Sequence, residues 1–365
     1  MKKKIGVLLP QSKEFPTMGK DFTKGLKLSL GSSEEVSYSI EGIGFGENSK
    51  RIIDAIQKLT QQDDVTLITG ILGHRELSEV CDFVSQLEER LIFADLGATR
   101  PISLKDRSGV SCNSLEMFKS VYRLGKYFGE NGVSSVGVSS CYNDAGYGFI
   151  DFLATSFGDG TAINFAGHNI TPINPRENEA EILKEFVTET KPDAVFTTSN
   201  GVYALEHAEF LKESGANKLG SPFYGTPFAM DNKVLKAFPQ VFDGTYCIGS
   251  WLLELQTQDN LDFVKAYEEA YNVPPSIFSV LGYENGLLIK QELDGGEAPV
   301  GPRGKLAIDP QTNRTSSNHY LWSITADGDA YTKTLVTELP EATEEMEVLS
   351  TDEDSLGWFN AYACH

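Results

Sequence analysis

Between Val65 and Pro101 the sequence passes twice from an apolar run into a small-residue loop. Thr66-Leu-Ile-Thr69 leads into Gly70-Ile-Leu-Gly-His74, and Leu91-Ile-Phe-Ala94 leads into Leu96-Gly-Ala-Thr-Arg-Pro101. The segment joining them carries Leu77, Val80, Cys81, Val84 and Leu87 at three- and four-residue spacing, which predicts a helix with one apolar stripe. Two short strands joined by one amphipathic helix form a βαβ crossover, and a crossover brings both loops to the carboxyl edge of a parallel sheet. Small molecules bind at that edge in open α/β sheets.

The alternation extends in both directions. Upstream stand an expected strand Ile5–Leu9, a loop from Pro10 to Gly19, a helix with Phe22, Leu26 and Leu30 on one face, a strand Val36–Ile43 and a helix Ser49–Leu59. Val110–Cys112 reads as a further short strand. A second series follows: helix Leu115–Phe128, strand Ser135–Ser139, loop Cys141–Gly148, helix Phe149–Phe157, strand Ala162–Ala166, helix Glu179–Thr188, strand Ala194–Thr198, helix Tyr203–Ser214 and strands Pro222–Gly225 and Gly244–Gly249. Two runs with similar spacing argue for two like-built α/β lobes, and 365 residues exceed the ~250–300 that one core serves. Helices at Leu261–Tyr271 and Ile277–Leu293 then precede Gly304–Asp309 and Tyr320–Thr325, which read as a hairpin-like strand pair finishing the lobes.

Charge narrows the partners. The chain has 31 basic and 52 acidic residues, a net −21, so nucleic acid and anionic membrane surfaces are repelled. Five scattered cysteines, Cys81, Cys112, Cys141, Cys247 and Cys364, show no metal-like spacing and read as buried small hydrophobes; one disulfide remains open. Met1-Lys-Lys-Lys4 looks like the start of an export signal, but the apolar run ends at Pro10, short of the ~7–15 residues such a signal needs. Either the protein is cytosolic, or an export signal has been trimmed. From Glu338 to Asp354 there are eight acidic residues and no basic ones, which reads as a solvated extension. Leu356, Trp358, Phe359 and Tyr362 after it suggest that the end docks, on its own lobe or on a partner.

Enzyme signatures are absent: there is no GxSxG, HExxH or P-loop, and the loops at Gly42–Gly46 and Gly70–Gly73 lack dinucleotide-binding spacing.

Several segments together resemble a known family: Ile5-Gly-Val-Leu-Leu-Pro10 with Gly19–Gly25, the Gly97-Ala-Thr-Arg-Pro101 loop, Tyr142-Asn-Asp-Ala-Gly-Tyr-Gly148, Lys191–Phe196, and Gly304–Asp309 followed by Asp327-Gly328. In this order over about residues 4–330 the chain resembles the type 1 periplasmic binding proteins, nearest the leucine/isoleucine/valine-binding family. The resemblance implies two Rossmann-like doubly wound lobes joined by a three-crossover hinge. The lobes close on a small solute, an amino acid or carboxylate-bearing compound, and present it to an ABC importer. It implies no catalysis, no cofactor, an ABC permease as partner, a location in the periplasm or on the outer surface of a bacterial inner membrane, and a monomer or weak dimer. The expected division is residues 1–115 with 252–325, residues 116–251 with 326–337, and an acidic extension 338–365, with crossovers near Asn113–Glu116, Ser250–Leu255 and Ile324–Asp327. The alternative is a ligand-sensing module of the same fold reporting to a signalling partner, and a cytosolic α/β enzyme stands third.

Transfer of the family's ligand positions gives Ala98 and Thr99, whose amide and hydroxyl hold a carboxylate, and Tyr147 as the cross-lobe tyrosine. Gly73-His74-Arg75 stands where the family has serine, Asn200 falls near a second aromatic position, and Phe15, Met18 and Thr226 are candidate lining residues. The acid that meets an α-ammonium in amino-acid binders falls near Pro227, so Asp144, Asp231 or Glu284 must replace it, or the ligand is no amino acid. Arg75 and Arg100 in cleft loops tilt the expectation towards an anionic or multiply polar solute held by arginine forks. Each also has a plainer use: the arginines as surface ion-pair partners, His74 as a helix cap, Tyr147 as a packed aromatic.

Overall fold

The computed structural model describes residues 3–31, 36–73, 75–157, 163–342, 345–352 and 357–365. Of the residues named above, Met1, His74, Ala162, Asp354 and Leu356 lie outside this set.

The chain divides into two compact units. Unit 1 comprises residues 1–116, 251–318 and 350–365, and unit 2 residues 117–250 and 319–349. Unit 1 opens with β1 (Lys3–Leu9), α1 (Met18–Leu30), β2 (Val36–Gly42), α2 (Ser49–Gln61), β3 (Leu67–Ile71), α3 (Leu77–Val84), β4 (Arg90–Asp95) and β5 (Val110–Ser114). The five strands form a parallel sheet in the order β2-β1-β3-β4-β5. Every residue of β3 is buried, the continuous apolar pattern of a parallel strand covered on both faces. Ile52, Ile56 and Leu59 of α2 and Val80, Cys81 and Val84 of α3 join Leu8, Ile68, Leu91 and Phe93 in one core. Asn48 starts α2, its side chain accepting from Arg51 N at 2.9 Å.

Unit 2 follows with α4 (Met117–Glu130), β6 (Ser135–Cys141), α5 (Tyr142–Ala145), α6 (Phe149–Ser156), β7 (Asn164–Thr171), α7 (Glu179–Thr190), β8 (Ala194–Thr198), α8 (Gly201–Ser214), β9 (Phe223–Gly225), α9 (Asn232–Ala237) and β10 (Thr245–Gly249). The chain returns to unit 1 for α10 (Gln258–Tyr271), α11 (Ile277–Asp294) and the short pair β11 (Val300–Gly301) and β12 (Gly304–Lys305). It then enters unit 2 again for β13 (His319–Asp327), β14 (Ala330–Leu339) and α12 (Glu345–Leu349). The second sheet has the order β14-β13-β10-β9-β8-β6-β7, parallel from β10 to β7 and antiparallel at β13 and β14.

The expected class, two doubly wound α/β lobes, is therefore the observed one. Four local expectations are corrected. Gly304–Lys305 pairs with Val300–Gly301, and Tyr320–Thr325 pairs with β10 and β14, so these two segments do not form a hairpin with each other. Because β13 is built into the second sheet from His319 onward, the later part of the range expected in the first lobe belongs to unit 2. The acidic run is also ordered where it is described: Glu338 and Leu339 end β14, and Glu345 is buried, accepting from Arg123 Nε at 2.9 Å with Lys119 Nζ at 3.7 Å. Two cations 222 and more residues away in sequence draw this acid inside. The chain passes between units four times, at 116/117, 250/251, 318/319 and 349/350; three were expected.

Close packing of α1 on α11 finishes unit 1 and depends on glycine. A Cβ at Gly25 would lie 2.0 Å from Ser279 O, and one at Gly282 would lie 2.0 Å from Phe22 O. Each helix thus places a glycine against the other's backbone. Ser276 and Ser279 form a capping box at the start of α11.

Candidate functional site

Both sheets are wound outward from their first strand. In unit 1 the chain goes from β1 to β2 on one side and then to β3 on the other, so the winding reverses between β1 and β3. In unit 2 it reverses between β6 and β8. Loops leaving the carboxyl ends of such strand pairs diverge and leave a crevice.

In unit 1 the loop after β4 turns at Gly97, whose φ of 69° suits glycine. It places Ala98 in the interior, 3% exposed, with Thr99 and Arg100 half-buried behind it. Asp95, at the end of β4, is buried and accepts from Ser114 Oγ and from Cys112 Sγ at 3.5 Å; Arg314 Nη1 lies 3.7 Å away. Burial, reinforced by the neighbouring Asp95 charge, pushes the Cys112 thiol well up and keeps it protonated. Arg314 Nη2 donates to Ile102 O at 3.0 Å, while its buried Nη1 has no hydrogen-bond acceptor among the described residues. Arg75, Thr99, Arg100, Asp95 and Arg314 line a space of about 10 Å³, room for roughly one water.

A larger open cavity of about 560 Å³ lies against the loop after β1, lined among others by Pro10, Gln11, Ser12, Phe15, Met18 and Phe45. Phe15 meets Phe278 edge to face with centroids 5.7 Å apart. Met18 is buried, 1% exposed. The structure therefore separates the unit 1 candidates into two places: Arg75, Thr99 and Arg100 at one corner, with Ala98 in the same loop, and Phe15 and Met18 at the other.

In unit 2 the reversal point is polar and buried. Asp144, on α5 directly after β6, accepts from Thr198 Oγ1 at 3.0 Å, Asn200 Nδ2 at 2.9 Å and Cys141 Sγ at 3.0 Å. Its partners come from β8 and the loop after it because Ser140 and Thr198 are in register. Asn200 Oδ1 and Ser199 Oγ are buried and have no hydrogen-bond partner among the described residues. Tyr147 is buried and its N–H donates to Asp144 O at 3.1 Å. Thr226, after β9, accepts from Ala229 N at 3.2 Å. Burial first and the Asp144 charge second raise the Cys141 thiol far above its ordinary value, so it stays a neutral donor.

The other two acids considered for an ammonium are committed elsewhere. Glu284 pairs with Arg303 at 2.6 Å with both side chains fully buried in unit 1, and Asp231 caps α9 by accepting from Lys233 N at 2.7 Å. Asp95 and Arg314 were not singled out in the sequence. An acid closing an apolar run just before a Gly-Ala-Thr loop was the available signal for Asp95; nothing local pointed to Arg314.

The described residues contain no group of three or more His, Cys, Asp or Glu side chains placed to hold a metal ion, and no helix long and apolar enough to cross a membrane.

Residues 2–329 match the family model described as periplasmic binding protein, and the chain belongs to that family. Among solved structures it is similar to an ABC transporter substrate-binding protein from Sphaerobacter thermophilus, at 19% identity over 93% of this chain and 98% of that one, with a TM-score of 0.78. It is also similar to an ABC transporter solute binding protein from Rhodopseudomonas palustris in complex with 3,4-dihydroxy benzoic acid, at 18% identity over 95% and 99% with a TM-score of 0.76. A leucine binding protein from Thermotoga maritima is similar at 15% identity over 92% and 98%, with a TM-score of 0.66. At these identities the likeness is one of fold. No curated protein matches the chain in sequence.

Proposed function

We propose that this protein is the solute-binding component of an ABC importer and that it captures a small carboxylate-bearing solute without chemically changing it. The reading rests on family membership together with one observation: each unit carries a polar face at the point where its sheet winding reverses. In unit 1, the Gly97–Thr99 loop offers backbone N–H groups and a hydroxyl, the donors a carboxylate needs. In unit 2, Asp144, Ser199 and Asn200 present acceptors suited to a hydroxyl or ammonium. Taken separately, the two faces suit a carboxylate and a hydroxyl or ammonium donor. Hydroxylated aromatic acids and amino acids both qualify, and bound 3,4-dihydroxy benzoic acid in one similar structure supports the first.

Asp144 answers the loss of an acid near Pro227, since it is the one of the three candidate acids at a winding reversal. Export to the periplasm, handover to a membrane permease and a monomeric or weakly dimeric state belong to the same reading. A thermal-shift screen with amino acids, dicarboxylates and aromatic acids tests it, because a ligand at 100 times its Kd adds ~2.7 kcal/mol. Steady consumption of a hit, or no stabilisation by any carboxylate, overturns it. A sensor of the same fold would bind the same solutes, and would be distinguished by failing to restore uptake with a cognate permease in vesicles.

A further inference from the structure

The segment Gly357–His365 lies within unit 1, across the carboxyl ends of its parallel strands. Its contacts are with the loops that follow β1, β2 and β3. Lys13 N donates to His365 O at 2.9 Å and Ser12 Oγ donates to Ala363 O. Ala361 N donates to Phe45 O at 3.3 Å. Arg75 N donates to Phe359 O at 3.3 Å, and the Arg75 guanidinium stands 4.6 Å from the centroid of the Phe359 ring. Cys364 Sγ lies 3.8 Å from Met18 Sδ. The approach is anchored too: Thr351 N donates to Pro101 O at 3.0 Å and Thr351 O accepts from Ser103 N at 2.8 Å, on the loop after β4. Ala361, Tyr362, Ala363 and Cys364 are each at most 3% exposed. Burial pushes the Cys364 thiol up to about 12.

This seat is built, and it covers the reversal point between β1 and β3. The contacts at Arg75 have a particular chemistry. A backbone carbonyl oxygen takes the Arg75 N–H while a phenyl ring lies against the guanidinium, the two groups an aromatic carboxylate would present together. At the corner formed by the loops after β3 and β4, the space of about 10 Å³ admits roughly one water and no solute.

We infer that Gly357–His365 is an intramolecular occupant of the unit 1 ligand face, seated as an aromatic carboxylate would be, and that a solute reaches the Arg75–Thr99 corner only when the segment gives it up. The seat itself is independent of the function proposed above; its consequence for solute binding rests on that function. Apparent affinity then falls in proportion to the fraction of molecules whose segment is off, so a segment docked in nine molecules of ten costs about tenfold.

The test uses three forms: the full chain, the chain ended after residue 356, and full-length Ala361→Glu, which puts a carboxylate into the buried seat. Far-UV circular dichroism and thermal melting establish that each is folded. In the first arm, a fluorescent peptide with the sequence of Gly357–His365 binds the shortened chain, and binds the full chain at least tenfold more weakly. Equal binding to both, or binding to neither, overturns the inference. In the second arm, benzoate and 4-hydroxybenzoate bind the shortened chain and Ala361→Glu at least tenfold more tightly than the full chain, with L-leucine and succinate for comparison. In the unaltered full chain, added benzoate speeds iodoacetamide alkylation of Cys364 at least fivefold while Cys81 and Cys247 stay unchanged. Where benzoate binds, equal affinity of all three forms, or no gain at Cys364, overturns the inference and leaves solute capture standing. If the peptide binds as expected and no carboxylate binds any form, the occupant stands and the proposed solute class fails.

Discussion

Replacing Glu284 by glutamine should destabilise unit 1 far more than the loss of one ordinary hydrogen bond. The Glu284 and Arg303 side chains are both 0% exposed. Arg303 donates to the carboxylate from Nη2 at 2.6 Å and from Nε at 3.0 Å, and its backbone N–H adds a bond at 3.2 Å. Its remaining donors reach Ser114 O and Asn113 Oδ1, each at 2.7 Å. The amide of glutamine retains one acceptor but cancels the charge, leaving a guanidinium in a dry interior with no counter-ion. Breaking one side of a buried pair costs about 3–5 kcal/mol, whereas removing both sides with apolar residues of similar volume is often close to neutral. Glu284→Gln, Glu284→Leu and Arg303→Met should therefore each lower stability by at least ~3 kcal/mol, and Glu284→Leu/Arg303→Met by less than any of them. With a urea slope of ~3 kcal/mol/M, the single variants move the unfolding midpoint down by roughly 1–1.7 M. The assay is urea titration followed by circular dichroism, completed as a double-mutant cycle. A Glu284→Gln chain within ~1 kcal/mol of the parent, or a double variant as unstable as the sum of the singles, refutes the reasoning.

Three further outcomes follow from the geometry. Gly282→Ala drives a methyl to 2.0 Å from Phe22 O, so α1 must move; it should cost ~2–3 kcal/mol net of the ~1 kcal/mol gained in helix propensity, measured by denaturant titration against Gly42→Ala, where a Cβ meets nothing within 4 Å. Burial pushes the His207 pKa down to about 4 from 6.5, so the unfolded chain takes up a proton that the folded chain refuses. Stability is full above pH 6.5 and is lost as pH falls through that window, by about 2 kcal/mol between pH 7 and pH 5 for this group, and His207→Gln should flatten that slope in melts across the range. His168, lowered to about 4 by the same cause but half-buried, adds in the same direction. Thr99→Val keeps the shape and removes the hydroxyl, and should weaken a carboxylate ligand roughly tenfold by calorimetry, the value of one well-made bond to a charged group; unchanged affinity would place the carboxylate elsewhere.

The order of strands and helices was legible because each parallel strand is a buried apolar run and each crossover helix shows one stripe, as in β3 and α3. The loops were legible for the same reason: Gly97 and its neighbours sit where a strand must turn. What failed was partner choice. Tyr320–Thr325 has a strand's composition, but no local property says that it joins β10 instead of Gly304–Asp309. Glu345 reads as solvated among acids, and Arg123 and Lys119, both distant in sequence, make it interior. β14 has the β-branched character of a strand over Thr332–Thr337, and the acidic residues that follow masked it. Thr99 and Arg100 were placed on a loop and lie on one in the structure, while Arg314, which joins the corner from a late return of the chain, carried no signal. Arg75 was read as a ligand fork; in the structure its guanidinium meets Phe359.

The glycine-lined contact of α1 with α11 also sets a timetable. About 250 residues separate the end of α1 from the start of α11, and at roughly 5–20 residues per second the ribosome needs about ten to fifty seconds to span them. Throughout that interval the nascent amino-terminal half has no mate for Phe22 and Leu26, and its sheet lacks the cover of α11. A chain that cannot finish its first unit until its last quarter emerges stays open to chaperones for most of its synthesis.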